Sequence, residues 1–177
     1  MNRIILIAGN KNSGKTSFLK FFIRTVAKPA NIKFDGFIAE GIYESGYKTG
    51  YYLLALKQEN RIRFCTEKPH RDWIKMGRLY FNPEGFHFGE KILTEIQEKV
   101  KWIIIDEFGP LELKGKGWNH GIQQLMKKNG LTLMITVKHE ILPDVIAGFN
   151  GHEMHVFNIN LDNIPHIANS IRKLISR

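Results

Sequence analysis

One short loop near the start restricts the fold of this chain more than any other feature of its sequence. It reads Gly9-Asn10-Lys11-Asn12-Ser13-Gly14-Lys15-Thr16. An apolar run, Arg3 to Ala8, precedes it, and the segment that follows, Thr16 to Ala27, carries apolar residues near a spacing of 3.6. The order is therefore strand, glycine-containing loop and helix, and the loop matches G-x-x-x-x-G-K-[ST] at every fixed position. We expect an α/β fold built around this first strand and helix.

A loop of this composition is suited to bind phosphate. Glycine lets successive backbone N–H groups turn toward one centre, and the N-terminus of the next helix adds unpaired donors and the positive end of its dipole. We expect Lys15 to contact the β and γ phosphates and the Thr16 hydroxyl to bind Mg²⁺, which prefers oxygen ligands. The loop therefore predicts a site for a nucleoside triphosphate with Mg²⁺. The predicted nucleotide-binding residues are Gly9, Asn10, Lys11, Asn12, Ser13, Gly14, Lys15, Thr16 and Ser17.

Two acidic residues follow a buried strand in the segment KWIIIDEFGPLEL. Asp106 comes directly after four apolar residues, at the carboxyl end of the strand, where open α/β sheets bind their ligands. We expect Asp106 to hold Mg²⁺. Glu107 should point to the other face of the strand, beside the metal, where it can orient or deprotonate an attacking water. The predicted catalytic residues are thus Glu107 and Lys15, and the predicted metal ligands are Thr16 and Asp106.

The rest of the chain predicts a mostly parallel sheet with helices on both faces. Short aromatic and aliphatic runs that turn at Ser45-Gly46 predict a β-rich excursion at about residues 34–82, between the phosphate loop and the Asp-Glu strand. Beyond it, helical spacing at 83–100, 119–130, 141–146 and about Asp162 to Ile175 alternates with apolar runs at 102–105, 131–137 and 154–159. Because these runs are continuous, the strands should be buried on both faces and parallel.

Composition sets outer limits on the function. The 177 residues are 43% hydrophobic, and no linker divides them, which predicts a single domain over residues 1–177. With one cysteine, Cys65, and no apolar run of membrane-spanning length, a cytoplasmic protein without membrane contact is expected. The net charge of +9 suits phosphorylated ligands, but its cations are spread along the chain, so nucleic acid is an alternative partner that is not favoured. The oligomeric state is not predicted.

Three alternatives to a triphosphatase of broad base specificity stay open. The residues Asp106 to Gly109 also fit the Asp-x-x-Gly pattern of GTPases, although no Asn-Lys-x-Asp segment follows to recognise guanine. A nucleotide or small-molecule kinase would bring arginines to the phosphates, and the chain has none between Gly109 and Ile171. A nucleotide-gated binding module would use the triphosphate to hold a protein or nucleic acid, with hydrolysis incidental. The arginines left to serve a kinase are Arg61, Arg63, Arg71 and Arg78.

The chain resembles the THEP-type nucleoside-triphosphatase family over nearly its full length. The segment Asp106 to Leu113 matches the family's Asp-Glu-Ile-Gly-x-x-Glu-Leu, and Val156 to Ile164 is similar to its Val-Phe-x-Val-Thr-x-Glu-Asn-Arg. The segments Gly36 to Gly41 and Gly50-Tyr51 look like two further family strands. The chain departs from the family at Ala39, Gly41, Lys48 and Ile164, the last two where the family commonly has arginine.

The resemblance implies a P-loop fold with a RecA-like central sheet, in which the two motifs are the Walker A and Walker B segments. It also implies slow, Mg²⁺-dependent hydrolysis of ATP, GTP and other triphosphates to diphosphates. An arginine at the γ-phosphate is worth ~10³–10⁵ in rate, so the scarcity of arginine predicts turnover well below one per second. Little preference among bases is expected, and charge from Arg63, Arg71, Arg78, Lys138 or a partner subunit would raise the rate.

Overall fold

The described part of the chain, residues 1–160 and 163–175 of a computed structural model, forms nine strands and six α-helices. The strands are β1 (Arg3–Ala8), β2 (Phe34–Glu44), β3 (Tyr47–Ala55), β4 (Arg61–Thr66), β5 (Ile74–Met76), β6 (Leu79–Phe81), β7 (Trp102–Phe108), β8 (Thr132–Val137) and β9 (Glu153–Asn158). The helices are α1 (Lys15–Phe22), α2 (Pro83–Thr94), α3 (Pro110–Leu113), α4 (Asn119–Met126), α5 (Leu142–Gly148) and α6 (Ile164–Ile175). A π-helical turn, Ile23–Ala27, extends α1, and a 3₁₀ turn, His139–Ile141, precedes α5. The predicted start of the last helix at Asp162 lies outside the described residues.

All nine strands of the described residues belong to one mixed sheet, in the order β5-β6-β4-β3-β2-β7-β8-β1-β9. The five strands from β2 to β9 in this order pair in parallel, and β3, β4, β6 and β5 extend the sheet by antiparallel pairing. The α/β class predicted from the sequence is confirmed. The sheet is less parallel than predicted, because the strands of the 34–82 segment continue it. One strand, β8, separates the phosphate-loop strand β1 from the Asp-Glu strand β7.

Helices cover both faces of the parallel strands. On β1, Ile4 and Leu6 pack in one core with apolar residues of α2, α4 and α5, whereas Ile5 and Ile7 pack in the other with α1 and α6. Both sets are fully buried, which explains why the strand is a continuous apolar run. None of the described helices is long and apolar enough to cross a membrane.

Backbone geometry at three positions brings β2 and β3 close to the phosphate loop. Gly36, with φ of 116°, lies so close to β7 that a Cβ there would be 2.0 Å from the Ile104 carbonyl oxygen. Ser45 and Gly46 have φ of 49° and 82°. These left-handed angles fit a two-residue hairpin turn, whose twist matches that of the flanking strands. The β2–β3 hairpin therefore projects past the carboxyl edge of the parallel strands.

Helix α2 begins as its sequence predicts but ends six residues early. The Asn82 side chain accepts a hydrogen bond from the Glu84 N–H at 3.0 Å, and Pro83 occupies the first helical position. The helix stops at Thr94, and the following residues turn so that Ile96 and Val100 are buried in the core. Core burial thus overrides the helical spacing of the sequence.

Candidate active site at the carboxyl edge of the sheet

The loop between β1 and α1 has the geometry of an anion site. Asn12 and Gly14 have left-handed φ angles of 62° and 95°, which turn successive N–H groups in one direction. A Cβ on Gly9 would come within 2.2 Å of the Ser13 hydroxyl oxygen, so only glycine fits there. The Ser13 hydroxyl is buried and has no hydrogen-bond partner within the described ranges. Since a buried polar group normally has a partner, this hydroxyl fits a phosphate oxygen.

Lys15 lies at the mouth of this loop. Its ammonium donates hydrogen bonds to the carbonyl oxygens of Gly9 at 2.9 Å and Asn10 at 2.8 Å, and the residue is only 6% exposed. Burial lowers the pKa of Lys15 most, whereas Glu107 and Asp106 nearby raise it. The ammonium therefore lies near both the loop and the carboxylates of Asp106 and Glu107, close to the end of β7.

Six of the nine predicted nucleotide-binding residues line one cavity, whereas Gly9, Asn10 and Ser13 do not. A cavity of about 1350 Å³ is lined by Lys11, Asn12, Gly14, Lys15, Thr16 and Ser17. Asn10 instead contacts His139, whose ring nitrogens lie 3.2 Å from the Asn10 side-chain oxygen and 3.0 Å from that of Asn158. His139 thereby ties the loop to the ends of β8 and β9.

Asp106 is fully buried and held by hydrogen bonds from several elements. One carboxylate oxygen accepts bonds from the Thr16 hydroxyl at 2.8 Å and from the Ala39 N–H at 3.1 Å. The other accepts a bond from the hydroxyl of Thr136, on β8. Burial raises the pKa of Asp106, while the bonds from Thr136, Thr16 and Ala39 lower it. This carboxylate cannot change its orientation without losing several of these bonds.

The Thr16 and Asp106 oxygens fit Mg²⁺. They are hard oxygen donors only 2.8 Å apart. The described residues contain no group of three or more His, Cys, Asp and Glu side chains able to hold a metal. A cation bound here would therefore take its other ligands from phosphate oxygens and water, as Mg²⁺ in nucleotide sites commonly does.

Glu107 is placed by a bulge in β7. Ile105 and Phe108 pack in the same core, so one extra residue lies between them, and the pairing of β7 with β8 shifts register there. Glu107 has a left-handed φ of 63°, and its N–H donates to the Thr136 hydroxyl at 2.8 Å. The sequence analysis placed Glu107 beside the metal by assuming that side chains alternate regularly along the strand. Because of the bulge, this alternation does not hold at residue 107. Bulges are common beside active sites because they redirect a side chain.

Three lysines from different elements surround Glu107. Burial and then Asp106 raise the pKa of Glu107, whereas Lys15, Lys138 and Lys48 lower it. Lys48, on β3, donates to the Asn12 side-chain oxygen at 3.3 Å, and its ammonium lies 5.1 Å from the centroid of the Tyr51 ring. The site is therefore richer in cations than the count of arginines indicates. Sequence analysis did not identify Lys48 as a site residue, although Lys48 stands where the family commonly has arginine.

The arginines that sequence analysis named as sources of positive charge lie outside the cavity lining or already contact another side chain. Arg78 lines the cavity but forms an ion pair with Glu67 at 2.6 Å. Arg63 donates to the Tyr52 hydroxyl at 3.2 Å and, like Arg71, is not part of the cavity lining. Lys48 and Lys138, in contrast, both line it.

Glu112 has a structural role that sequence analysis did not assign. It is 4% exposed, and its two carboxylate oxygens accept hydrogen bonds from the N–H groups of Gly109 at 2.9 Å and Trp118 at 3.1 Å. The Gly109 N–H, which the Asp-x-x-Gly interpretation assigns to the γ-phosphate, is thus already bonded to a buried carboxylate. This geometry disfavours the GTPase alternative.

Comparison with known proteins identifies the family of this chain. The family model named NTPase_1, described as NTPase, matches residues 4–172. A protein from Thermotoga sp. (strain RQ2) named nucleoside-triphosphatase THEP1 is 25% identical over 172 residues, covering 97% of this chain and 94% of that protein. A second of the same name, from Archaeoglobus fulgidus, is 24% identical over 173 residues, covering 97% and 98%.

Two solved structures share the fold. The crystal structure of THEP1 from the hyperthermophile Aquifex aeolicus superposes with a TM-score of 0.76 at 22% identity and covers the whole of both chains. The solution structure of a human cancer-related nucleoside triphosphatase gives a TM-score of 0.76 at 18% identity, over 99% of this chain and 97% of the other. The family predicted from the sequence is confirmed by the family model and the named relatives, and these two structures share the fold.

Proposed function

We propose that this chain, which belongs to the NTPase family, hydrolyses nucleoside triphosphates to diphosphate and phosphate with Mg²⁺, slowly and with little preference among bases. One observation carries the proposal. The phosphate loop, the Thr16–Asp106 oxygen pair and Glu107 meet at the same edge of the sheet, beside one cavity. The names of the relatives, nucleoside-triphosphatases, support the same reaction.

Each residue of this site has a role in the proposed reaction. The loop N–H groups, the Ser13 hydroxyl and the Lys15 ammonium bind the β and γ phosphates and hold them in line. Mg²⁺, when bound at Thr16 and Asp106, offsets negative charge on the phosphate oxygens. Glu107 accepts the proton of the attacking water, while the bonds from Ala39 and Thr136 keep Asp106 fixed beside it.

The rate should be slow because lysines, not an arginine, face the γ-phosphate. An ammonium is a point charge and cannot bind two oxygens in the bidentate manner of a guanidinium. A site without an arginine turns over at roughly 10⁻⁴–10⁻³ s⁻¹. Base preference should be weak, because the chain lacks an Asn-Lys-x-Asp segment to recognise guanine.

Steady-state phosphate release from the purified protein tests the proposal, with saturating ATP, GTP, CTP and UTP in separate reactions. We expect turnover well below one per second for all four, and loss of activity when a chelator removes Mg²⁺. Turnover of tens per second, strict use of one base, or activity unchanged by chelator would contradict the proposal.

Lys48 should stabilise the transition state. Lys48→Ala is expected to lower kcat about tenfold and to leave KM within a few-fold, because charge builds on the γ-phosphate oxygens only during transfer. Lys48→Arg should match or exceed the wild-type kcat. Lys75→Ala, which removes an exposed lysine of β5 outside the cavity lining, serves as the control. Equal kcat values for Lys48→Ala and Lys75→Ala would show that Lys48 has no role in the reaction.

A further inference from the structure

The cavity at the phosphate loop is larger than an ordinary small-molecule site. Its volume of about 1350 Å³ exceeds the roughly 300–1,000 Å³ of ordinary small-molecule sites. It extends from Lys15 and Glu107 to residues of β6, which lies four strands away from β7 in the sheet. At a strand spacing of about 4.8 Å, this distance is about 19 Å.

The far part of the cavity is apolar and rich in aromatic rings. We call Met76, Leu79, Phe81 and Phe86 the aromatic end; all four line the cavity and are half-buried. The Phe81 and Phe86 ring centroids are 6.1 Å apart, and the buried Phe64 packs against Phe86 at 5.0 Å. Because the supporting rings are already in the core, the exposed faces of the aromatic end form a rigid apolar wall suited to a flat ligand.

Charge at this end disfavours an anionic ligand. Arg78 is paired with Glu67 at 2.6 Å, and Arg61, the other arginine of the lining, lies 3.8 Å from Glu40. Lys15, Lys48 and Lys138 instead lie at the opposite end, around Glu107. An uncharged ligand therefore suits the aromatic end, with the triphosphate at the lysine end.

We propose that the aromatic end binds a second substrate, an uncharged alcohol with a flat ring and the size of a nucleoside, which accepts the γ-phosphoryl group in place of water. The proposal rests on the triphosphate site proposed above. The acceptor hydroxyl oxygen forms a bond to the γ-phosphorus, and the bond from that phosphorus to the β–γ bridging oxygen breaks. The diphosphate leaves with the bond's electron pair. The hydroxyl proton passes to Glu107 and then to solvent, and the products are a nucleoside diphosphate and a phosphate monoester.

Simultaneous measurement of ADP and free phosphate separates this transfer from hydrolysis. The protein is incubated with ATP and Mg²⁺, with or without millimolar adenosine, guanosine, cytidine, uridine or thymidine, and monophosphate products are identified by chromatography. With at least one nucleoside, ADP should exceed free phosphate by roughly tenfold, because a bound hydroxyl outcompetes water. Equal ADP and phosphate with all five would overturn the proposal but leave hydrolysis standing. No ADP in any reaction would instead contradict the proposed hydrolysis.

A parallel set of reactions with the corresponding nucleoside monophosphates tests the charge of the acceptor. The monophosphates should be poorer acceptors than the nucleosides, because the arginines of the lining are engaged by carboxylates. Preferential phosphorylation of the monophosphates would overturn the assignment of an uncharged acceptor.

Variants that fill the cavity locate the second site. Leu79→Trp should reduce transfer about 10²-fold, since displacing an acceptor by even 1 Å has an effect of this size, while hydrolysis without acceptor stays within twofold. Ile74→Trp is the matched control, because Ile74 is half-exposed on β5, pairs with Phe81 and does not line the cavity. Met76→Trp provides a second filled variant. Transfer that persists in either filled variant with normal hydrolysis would overturn the proposal, and its selective loss would support it.

Discussion

Replacement of Glu107 by glutamine is expected to lower the turnover number by ~10²–10⁴, because glutamine keeps the shape of the side chain but cannot accept a proton. Triphosphate affinity should stay within a few-fold of the wild type. The backbone contacts that place residue 107, its left-handed φ of 63° and its N–H bond to Thr136, do not depend on the carboxylate. Phosphate release gives kcat, and titration calorimetry with ATP and Mg²⁺ gives Kd.

The control for this variant is Glu40→Gln. Glu40 also lines the cavity, but its carboxylate forms ion pairs with Lys20 at 2.5 Å and with Arg61, on β4, at 3.8 Å. Its loss should leave kcat unchanged. Asp106→Asn, in contrast, should raise the Mg²⁺ concentration needed for half-maximal activity. Wild-type turnover by Glu107→Gln would assign proton transfer to another group.

Lys15→Ala is expected to weaken ATP binding by about 10–10²-fold, since a charge-assisted hydrogen bond is worth roughly 1.5–3 kcal/mol. The lysine is the one loop cation that is buried, and its ammonium already lies within hydrogen-bond distance of two loop carbonyls. Calorimetry measures the change in Kd. Lys75→Ala again provides the control, because Lys75 is exposed and lies outside the cavity lining.

Removal of the Lys15 ammonium also leaves the Gly9 and Asn10 carbonyl oxygens without these bonds. The melting temperature of the ligand-free variant therefore has to be compared with that of the wild type. Unchanged ATP affinity in a variant that melts normally would contradict the assignment of this loop to phosphate.

The α/β class, the family and the order of strands and helices could be predicted from the sequence. The central strands are recognisable in the sequence as continuous apolar runs, because burial on both faces disfavours polar residues. The end of α2 could not be predicted this way. Its helical spacing continues past Thr94, but the burial of Ile96 and Val100 in the core favours a turn.

In the antiparallel part of the sheet, the local turn could also be predicted from the sequence, whereas the pairing of distant strands could not. The Ser45-Gly46 turn was predicted from two adjacent residues, because hairpin turns depend on local φ angles. The pairing of β4 with β6, and the continuity of these strands with the parallel sheet, depend on which distant segments meet. Residue patterns within one segment carry no such information.

What the sequence by itself determined about this protein is the chemistry that lies within single segments. The phosphate loop needs only a strand, a few residues able to turn inward and a helix in succession, and Asp106 and Glu107 are neighbours near the end of a single strand, β7. Only the tertiary structure decided which groups act on them. Lys48, Thr136 and Ala39 come from β3, β8 and β2, and they reach the site because strand order places these strands beside β7 or one strand further from it. The cavity that extends from Glu107 to β6 has the same origin, since its walls are made by segments that are distant in the chain and become neighbours only through strand order.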